Sequence, residues 1–265
     1  ESLAAVTRGD PIPEHGYHGD YITEWAHEMP ADADALEWGL ERGLASHRVT
    51  LEALNIHHDV WFSERSLVAN GEIEESLDEL RTRGAVFEED GATWLRSSAQ
   101  GDDKDRVLVK SDGDFTFLTP DIAYHRDKFS RSDLLFNVWG ADHHGYIQRM
   151  KAAMQLLGHN PDELEIVITQ MVDLVRDGEA FQMSGRSGDQ IDLDDIIAEV
   201  GPDAARFTYL IQSVDSRQTF DVDEVAQQGM DNPVFYVQYA HARICSILAK
   251  AAAAGVDRLP LADVD

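Results

Sequence analysis

Between positions 134 and 168 an apolar run, a polar cluster, a helical stretch and a second apolar run follow one another, and few folds accommodate that order. Leu134-Leu135-Phe136-Asn137-Val138-Trp139 reads as a buried strand, and the segment from Ile147 to Met154 reads as a helix. A further strand is expected over Leu164, Ile166, Val167 and Ile168. Such strand-helix alternation implies an α/β fold with a parallel sheet. The polar cluster Gly140-Ala141-Asp142-His143-His144-Gly145-Tyr146 lies between a strand's C-terminal end and a helix N-terminus, where open α/β sheets bind ligands.

The chain has 265 residues, 43% of them hydrophobic, which suits one large domain or two modest ones around a real core. No stretch approaches the roughly 20 apolar residues of a membrane span, and no secretion signal opens the sequence. A cytoplasmic location is the expectation, with no membrane partner. The single cysteine, Cys245, excludes an intramolecular disulfide and argues against redox chemistry; it lies in an apolar helical stretch and is expected to be a buried, inert thiol. Fifty acidic residues against 22 basic ones give a formal net charge of -28. That field repels phosphate backbones, so charge alone argues against nucleic-acid binding by this chain and favours cationic or neutral small partners.

Helical spacing is expected over 33–54, a short strand at Val60-Trp61-Phe62, and a helix through Leu77-Asp78-Glu79-Leu80-Arg81 that stops at Gly84. Ser63 is a candidate cap. Two strand pairs follow. The first joins 85–87 to 92–95 through Glu89-Asp90-Gly91, and the second joins 107–110 to 115–118 through Ser111-Asp112-Gly113. Together they form a small α+β insert. Gly201-Pro202-Asp203 starts a further helix, and residues 233–254 are helical.

Three groups could carry chemistry. Asp142, His143 and His144, like His57-His58-Asp59, are metal-ligand types, but consecutive side chains point in different directions and no cysteine assists, so no metal site is assigned. Met183-Ser184-Gly185-Arg186 can present amides, a hydroxyl and a guanidinium to phosphate oxygens, as many plain loops can. Asp121 fits either a clamp for a cationic substrate or the N-cap of a helix over 122–129, and residue types alone favour the cap.

Tyr17-His18-Gly19-Asp20-Tyr21-Ile22, the segments 60–67 and 101–113, Leu118-Thr119-Pro120-Asp121-Ile122-Ala123-Tyr124-His125, Val138 through Tyr146, and Asp231 through Arg243 stand in the order found in arginyl-tRNA synthetases. Across nearly its whole length the chain closely resembles that class I family. The resemblance implies a Rossmann-type parallel-sheet catalytic domain. It implies an arginine-tRNA ligase that makes arginyl-adenylate from arginine and ATP, with Mg2+ accompanying the ATP and no tightly bound cofactor, and then transfers arginine to tRNA-Arg. The work is positioning and electrostatic stabilisation rather than acid-base chemistry.

Carried over by position, the resemblance places Phe117, Asp121, Tyr124 and His143 in the arginine pocket, with Asp121 facing the guanidinium, and so displaces the cap reading. Gly140, Asp142, His143, Gln170, Met171 and Val172 are implied at ATP. Met183, Ser184 and Arg186 match the mobile phosphate loop and are the implied catalytic residues. Gln182 and Gly185 stand where that loop has lysines, so Arg186 or other parts of a full enzyme supply the positive charge. No His-Ile-Gly-His-like motif is present.

The expectation is therefore a fragment inactive on its own. Residues 1–115 would hold the end of the first catalytic half and the connecting insert. Residues 116–225 would form the second half, and 226–265 the start of a helical anticodon-binding domain. tRNA would be met mainly through segments outside the chain, and the full-length enzyme would be a monomer. A non-catalytic, synthetase-like arginine-binding or interaction protein is the alternative.

Overall fold

The apolar run at the centre of the sequence pairs as its alternation with a helix demands: Leu135–Gly140 lies parallel to Leu164–Thr169, in unbroken register from Leu135 opposite Leu164 to Gly140 opposite Thr169. The computed structural model describes residues 1–180, 192–227, 229 and 232–256. In chain order the helices are α1 (Ser2–Arg8), α2 (Asp20–Glu28), α3 (Ala35–Ala53), α4 (Glu64–Ala69), α5 (Glu72–Thr82), α6 (Leu118–Ser130), α7 (Ile147–Leu156), α8 (Leu193–Val200), α9 (Pro202–Leu210), α10 (Val222–Ala226) and α11 (Pro233–Ala253). The strands are β1 (Val86–Glu89), β2 (Ala92–Leu95), β3 (Arg106–Val109), β4 (Leu135–Gly140), β5 (Leu164–Thr169), β6 (Val172–Arg176), β7 (Glu179–Ala180) and β8 (Gln218–Asp221).

The chain divides into two compact units, one of His58–Met171 with Val214–Arg217, the other of Glu1–His57, Val172–Ser213 and Gln218–Asp265. In the first, β1, β2 and β3 form an antiparallel sheet, and β4 and β5 form the parallel pair. Its core runs from Leu67, Ile73 and Leu80 through Leu95 and Leu108 to Ile122, Met150, Met154 and Leu164, each at most 2% exposed. One apolar nucleus thus joins the insert sheet to the parallel pair, with α6 and α7 packed into it.

In the second unit β6 pairs in parallel with β8 and antiparallel with β7. Leu174, Ile196, Ala204, Phe220, Val222, Val225 and Val234 pack as its buried cluster. Parallel pairing in both units supports the Rossmann-type α/β reading. The β1–β2 and β6–β7 hairpins turn at Asp90-Gly91 and Asp177-Gly178, where all four residues have φ between 51° and 77°. That is the double left-handed geometry for which Asp-Gly is suited.

Several local expectations fail for identifiable reasons. Val60-Trp61-Phe62 is irregular rather than a strand, because Phe62 is committed to stacking on Tyr124 at 4.3 Å between centroids. Residues 115–118 do not complete a strand: Phe115 makes one bridge to Val109 and α6 begins at Leu118, with Pro120 in the first turn, where its missing N–H costs no hydrogen bond. Asp121 consequently lies inside α6, whose N-cap is Phe117. Ser63 precedes α4 but its side chain makes no cap hydrogen bond. Cys245 is exposed, not buried. Only Val234 of α11 is buried among the residues described, so no packed element covers position 245, and its Sγ lies 3.5 Å from His241 Nε2. No helix among the described residues is long and apolar enough to cross a membrane.

Candidate active site

Adjacent parallel strands aim their carboxyl ends at the same place, and β4 and β5 end side by side at Gly140 and Thr169. From β4 the chain enters a 3-10 turn, Ala141–Tyr146, and then α7. From β5 it continues into Gln170 and Met171, both exposed. The unit containing β4 and β5 therefore brings Gly140, Asp142, His143, Gln170 and Met171 to one sheet edge, where ligands of open α/β sheets bind. Asp142 Oδ2 lies 3.5 Å from His143 Nε2, and both side chains are exposed. A Cβ on Gly140 would stand 2.7 Å from Asp142 Oδ1, so the glycine lets that carboxylate fold back over the strand end. Val172 opens β6 in the other unit.

Asp121 is held at the same edge from α6. Its Oδ2 accepts a hydrogen bond from the Tyr146 hydroxyl at 3.0 Å. Burial raises its pKa above the usual carboxylate value, opposed by the Tyr146 hydrogen bond and by the nearby charges of Lys128 and His143. A half-desolvated carboxylate of this kind gains most from a cation that can donate to it. Phe117, one turn earlier and 92% exposed, contributes an open apolar surface.

Tyr124 has both neighbours and a free edge. Phe62 stacks on it at 4.3 Å with 23° between the rings, and Lys128 Nζ lies 4.3 Å from the same centroid. Two groups that close cover much of the ring and favour approach of a ligand at its edge and hydroxyl.

Behind Asp121 runs a chain of buried and partly buried hydrogen bonds that sequence inspection missed. Lys128 Nζ donates to Asn137 Oδ1 at 3.0 Å. Lysine has no acceptor, so the amide oxygen faces it and Asn137 Nδ2 faces His125 Nε2, 2.7 Å away. Nε2 accepts, and Nδ1–H donates to the Asp121 carbonyl at 2.7 Å. His125 is 3% exposed; burial and the Lys128 charge, only partly offset by the carbonyl, push its pKa down to about 4, so the ring is neutral as the chain requires. Burial and Arg131 lower the Lys128 pKa as well, against the pull of Asp121 and Asp127. The available signal was spacing: 121, 125 and 128 share a face of α6, and Asn137 interrupts an otherwise apolar strand.

Met183, Ser184 and Arg186 lie outside the described residues, as do Gln182 and Gly185. Among the described residues no group of three His, Cys, Asp or Glu side chains could hold a metal ion.

The comparisons bear on the family and the fold. A family model described as tRNA synthetases class I (R), catalytic domain, matches residues 42–241. An arginine--tRNA ligase from Bacillus licheniformis is 47% identical over 267 residues, covering 95% of this chain and 48% of its own length. A solved Campylobacter jejuni structure assigned as an arginyl-tRNA synthetase superposes with a TM-score of 0.84 at 37% identity, over 94% of this chain and 58% of that one. Thermus thermophilus arginyl-tRNA synthetase shares the fold at a TM-score of 0.66 and 21% identity, over 93% of this chain and 50% of that one. The chain spans about half the length of the curated relatives it matches. On these grounds the chain belongs to the class I arginyl-tRNA synthetase family.

Proposed function

We propose that the protein serves an arginine-tRNA ligase. An arginine carboxylate oxygen attacks the α-phosphorus of ATP, the bond to the β,γ-diphosphate breaks, and arginyl-adenylate forms. A hydroxyl of the terminal ribose of tRNA-Arg then attacks the adenylate carbonyl carbon and releases AMP. The observation that carries the reading is Asp121, a half-buried carboxylate with one oxygen already fixed, beside the carboxyl ends of two parallel strands.

In this reading Asp121 pairs with the substrate guanidinium, with Phe117, His143 and the edge of Tyr124 around it. Gly140, Asp142, His143, Gln170, Met171 and Val172 line ATP, and Met183, Ser184 and Arg186 meet its phosphates. ATP arrives with Mg2+, held by the triphosphate rather than by a resident protein site. Residues 1–115, 116–225 and 226–265 are assigned to the end of the first half with its insert, the second half, and the start of the anticodon-binding domain. A cytoplasmic place of action and a monomeric full-length enzyme complete the proposal.

A non-hydrolysable arginyl-adenylate analogue tests the reading. It is expected to bind more tightly than arginine or ATP alone, and more tightly than the lysyl analogue. Equal affinity for the arginyl and lysyl compounds would contradict it.

A further inference from the structure

Tyr146 has no part in the site as the sequence describes it, yet its hydroxyl makes the hydrogen bond that orients Asp121. Its ring is itself held. Trp139 packs edge-on at 5.9 Å and 69°, and the Arg149 guanidinium lies 4.7 Å from the ring centroid. Arg149 sits in the first turn of α7 and Trp139 near the end of β4, so two elements of the same unit fix the ring between them. The Asp121 backbone is fixed independently, by α6 and by the His125 ring on its carbonyl.

A carboxylate offers about four lone-pair positions. One on Oδ2 is taken by the phenol. A planar fork of two N–H donors uses one position on each oxygen, and it needs the carboxylate plane to be set beforehand.

We propose, building on the arginine-pocket reading, that Tyr146 is the positioning residue of the substrate guanidinium. Its hydroxyl locks the Asp121 carboxylate in one orientation, with Oδ1 and the outer edge of Oδ2 presented to a two-pronged cation. Selectivity for a planar guanidinium over an ammonium then depends on Tyr146 as well as on Asp121, because a point charge tolerates a rotating carboxylate and a fork does not.

The charged and titratable groups around Asp121 are Tyr146 and His143 from the turn, Lys128 and His125 from α6, and Arg149 behind Tyr146. Of these, Tyr146 alone supplies a hydrogen bond to the carboxylate among the described residues, and burial beside Asp121 raises its own pKa, so it stays a donor at neutral pH. Removing the hydroxyl takes away one influence that keeps Asp121 ionised while leaving Lys128 and His143 in place.

The test is Tyr146→Phe in the 265-residue chain. Arginine and agmatine, with lysine as control, are titrated calorimetrically from pH 4 to 8, alongside thermal melts. Arginine affinity is expected to fall about fivefold, the scale of one hydrogen bond. The acid limb of binding should move to higher pH, because the Tyr146 hydrogen bond is one of the influences that lower the Asp121 pKa. Lysine binding should hold within error, and the melting temperature at pH 7 should fall only slightly, since an Asp121 carboxyl with a higher folded pKa costs a little stability when ionised. A merely structural tyrosine would lower the melting temperature without moving the acid limb. Arginine binding by the wild type that Tyr146→Phe leaves unchanged in strength and pH profile overturns this inference alone. No arginine binding by a folded wild type overturns the pocket reading and this inference with it.

Discussion

Asp121 and His125, one helical turn apart, have opposite relations to pH. Burial raises the Asp121 pKa, so its folded form prefers to be protonated, and any stability it provides is present below the unfolded value and lost as pH rises through the folded one. At neutral pH the ionised carboxylate therefore costs stability, as a site awaiting a cation does. Asp121→Asn, whose amide oxygen still accepts from Tyr146, should raise the melting temperature at pH 7, which calorimetry would check. His125 is the reverse case. Its pKa is depressed to about 4, so its contribution is complete above the unfolded value near 6.5 and disappears as pH falls through 4. That window is worth on the order of 3 kcal/mol. Urea unfolding followed from pH 7 down to pH 4 should show this acid limb in the wild type and a flatter one in His125→Asn. The pocket role proposed for Asp121 was legible only through the family resemblance, since residue types alone favour a helix cap for an aspartate after Thr-Pro. The His125, Asn137 and Lys128 chain was not legible because it needs β4 packed on α6, a tertiary fact that no local window contains.

Among elements, the ones read correctly are those whose signal is local. Asp90-Gly91 sets its hairpin because both residues must take positive φ, and β4, α7 and β5 follow from long apolar periodicity. Val60-Trp61-Phe62 and 115–118 are as apolar as true strands, but they spend their side chains on packing or at the start of a helix. The insert sheet is closed by a pair that composition does not announce. Asp102 Oδ2 lies 2.8 Å from Arg106 Nε and Oδ1 lies 2.9 Å from Nη2, with the Asp102 side chain 2% exposed. Burial would raise the Asp102 pKa, yet the Arg106 hydrogen bonds hold it far below the carboxylate range. Asp102→Ala takes from the largely buried Arg106 guanidinium its buried carboxylate and leaves it only the exposed Asp103, and should cost about 3 kcal/mol in denaturant unfolding. Asp102→Ala combined with Arg106→Met should cost less than the sum of the two single changes.

At the scale of the whole molecule, charge is the dominant quantity. With 50 acidic and 22 basic residues, repulsion among carboxylates outweighs the exposed ion pairs, which contribute little singly. Salt screens that repulsion within a distance of about 3 Å at 1 M. Raising KCl from about 0.1 M to about 1 M should therefore raise the melting temperature by several degrees. A protein held together by its surface pairs would be destabilised instead. Family and α/β class were legible from ordered segments along nearly the whole chain, whereas the exposure of Cys245 was not, because an apolar helix predicts burial only where something packs against it.

The central claim, that this chain presents a guanidinium site on Asp121, is tested most directly by calorimetric titration of arginine into the wild type and Asp121→Asn, with lysine and citrulline as controls. The account predicts arginine-selective heat in the wild type that is lost in the variant, while the variant remains folded with an unchanged or higher melting temperature. Equal arginine binding by both proteins, or none by a folded wild type, would contradict it.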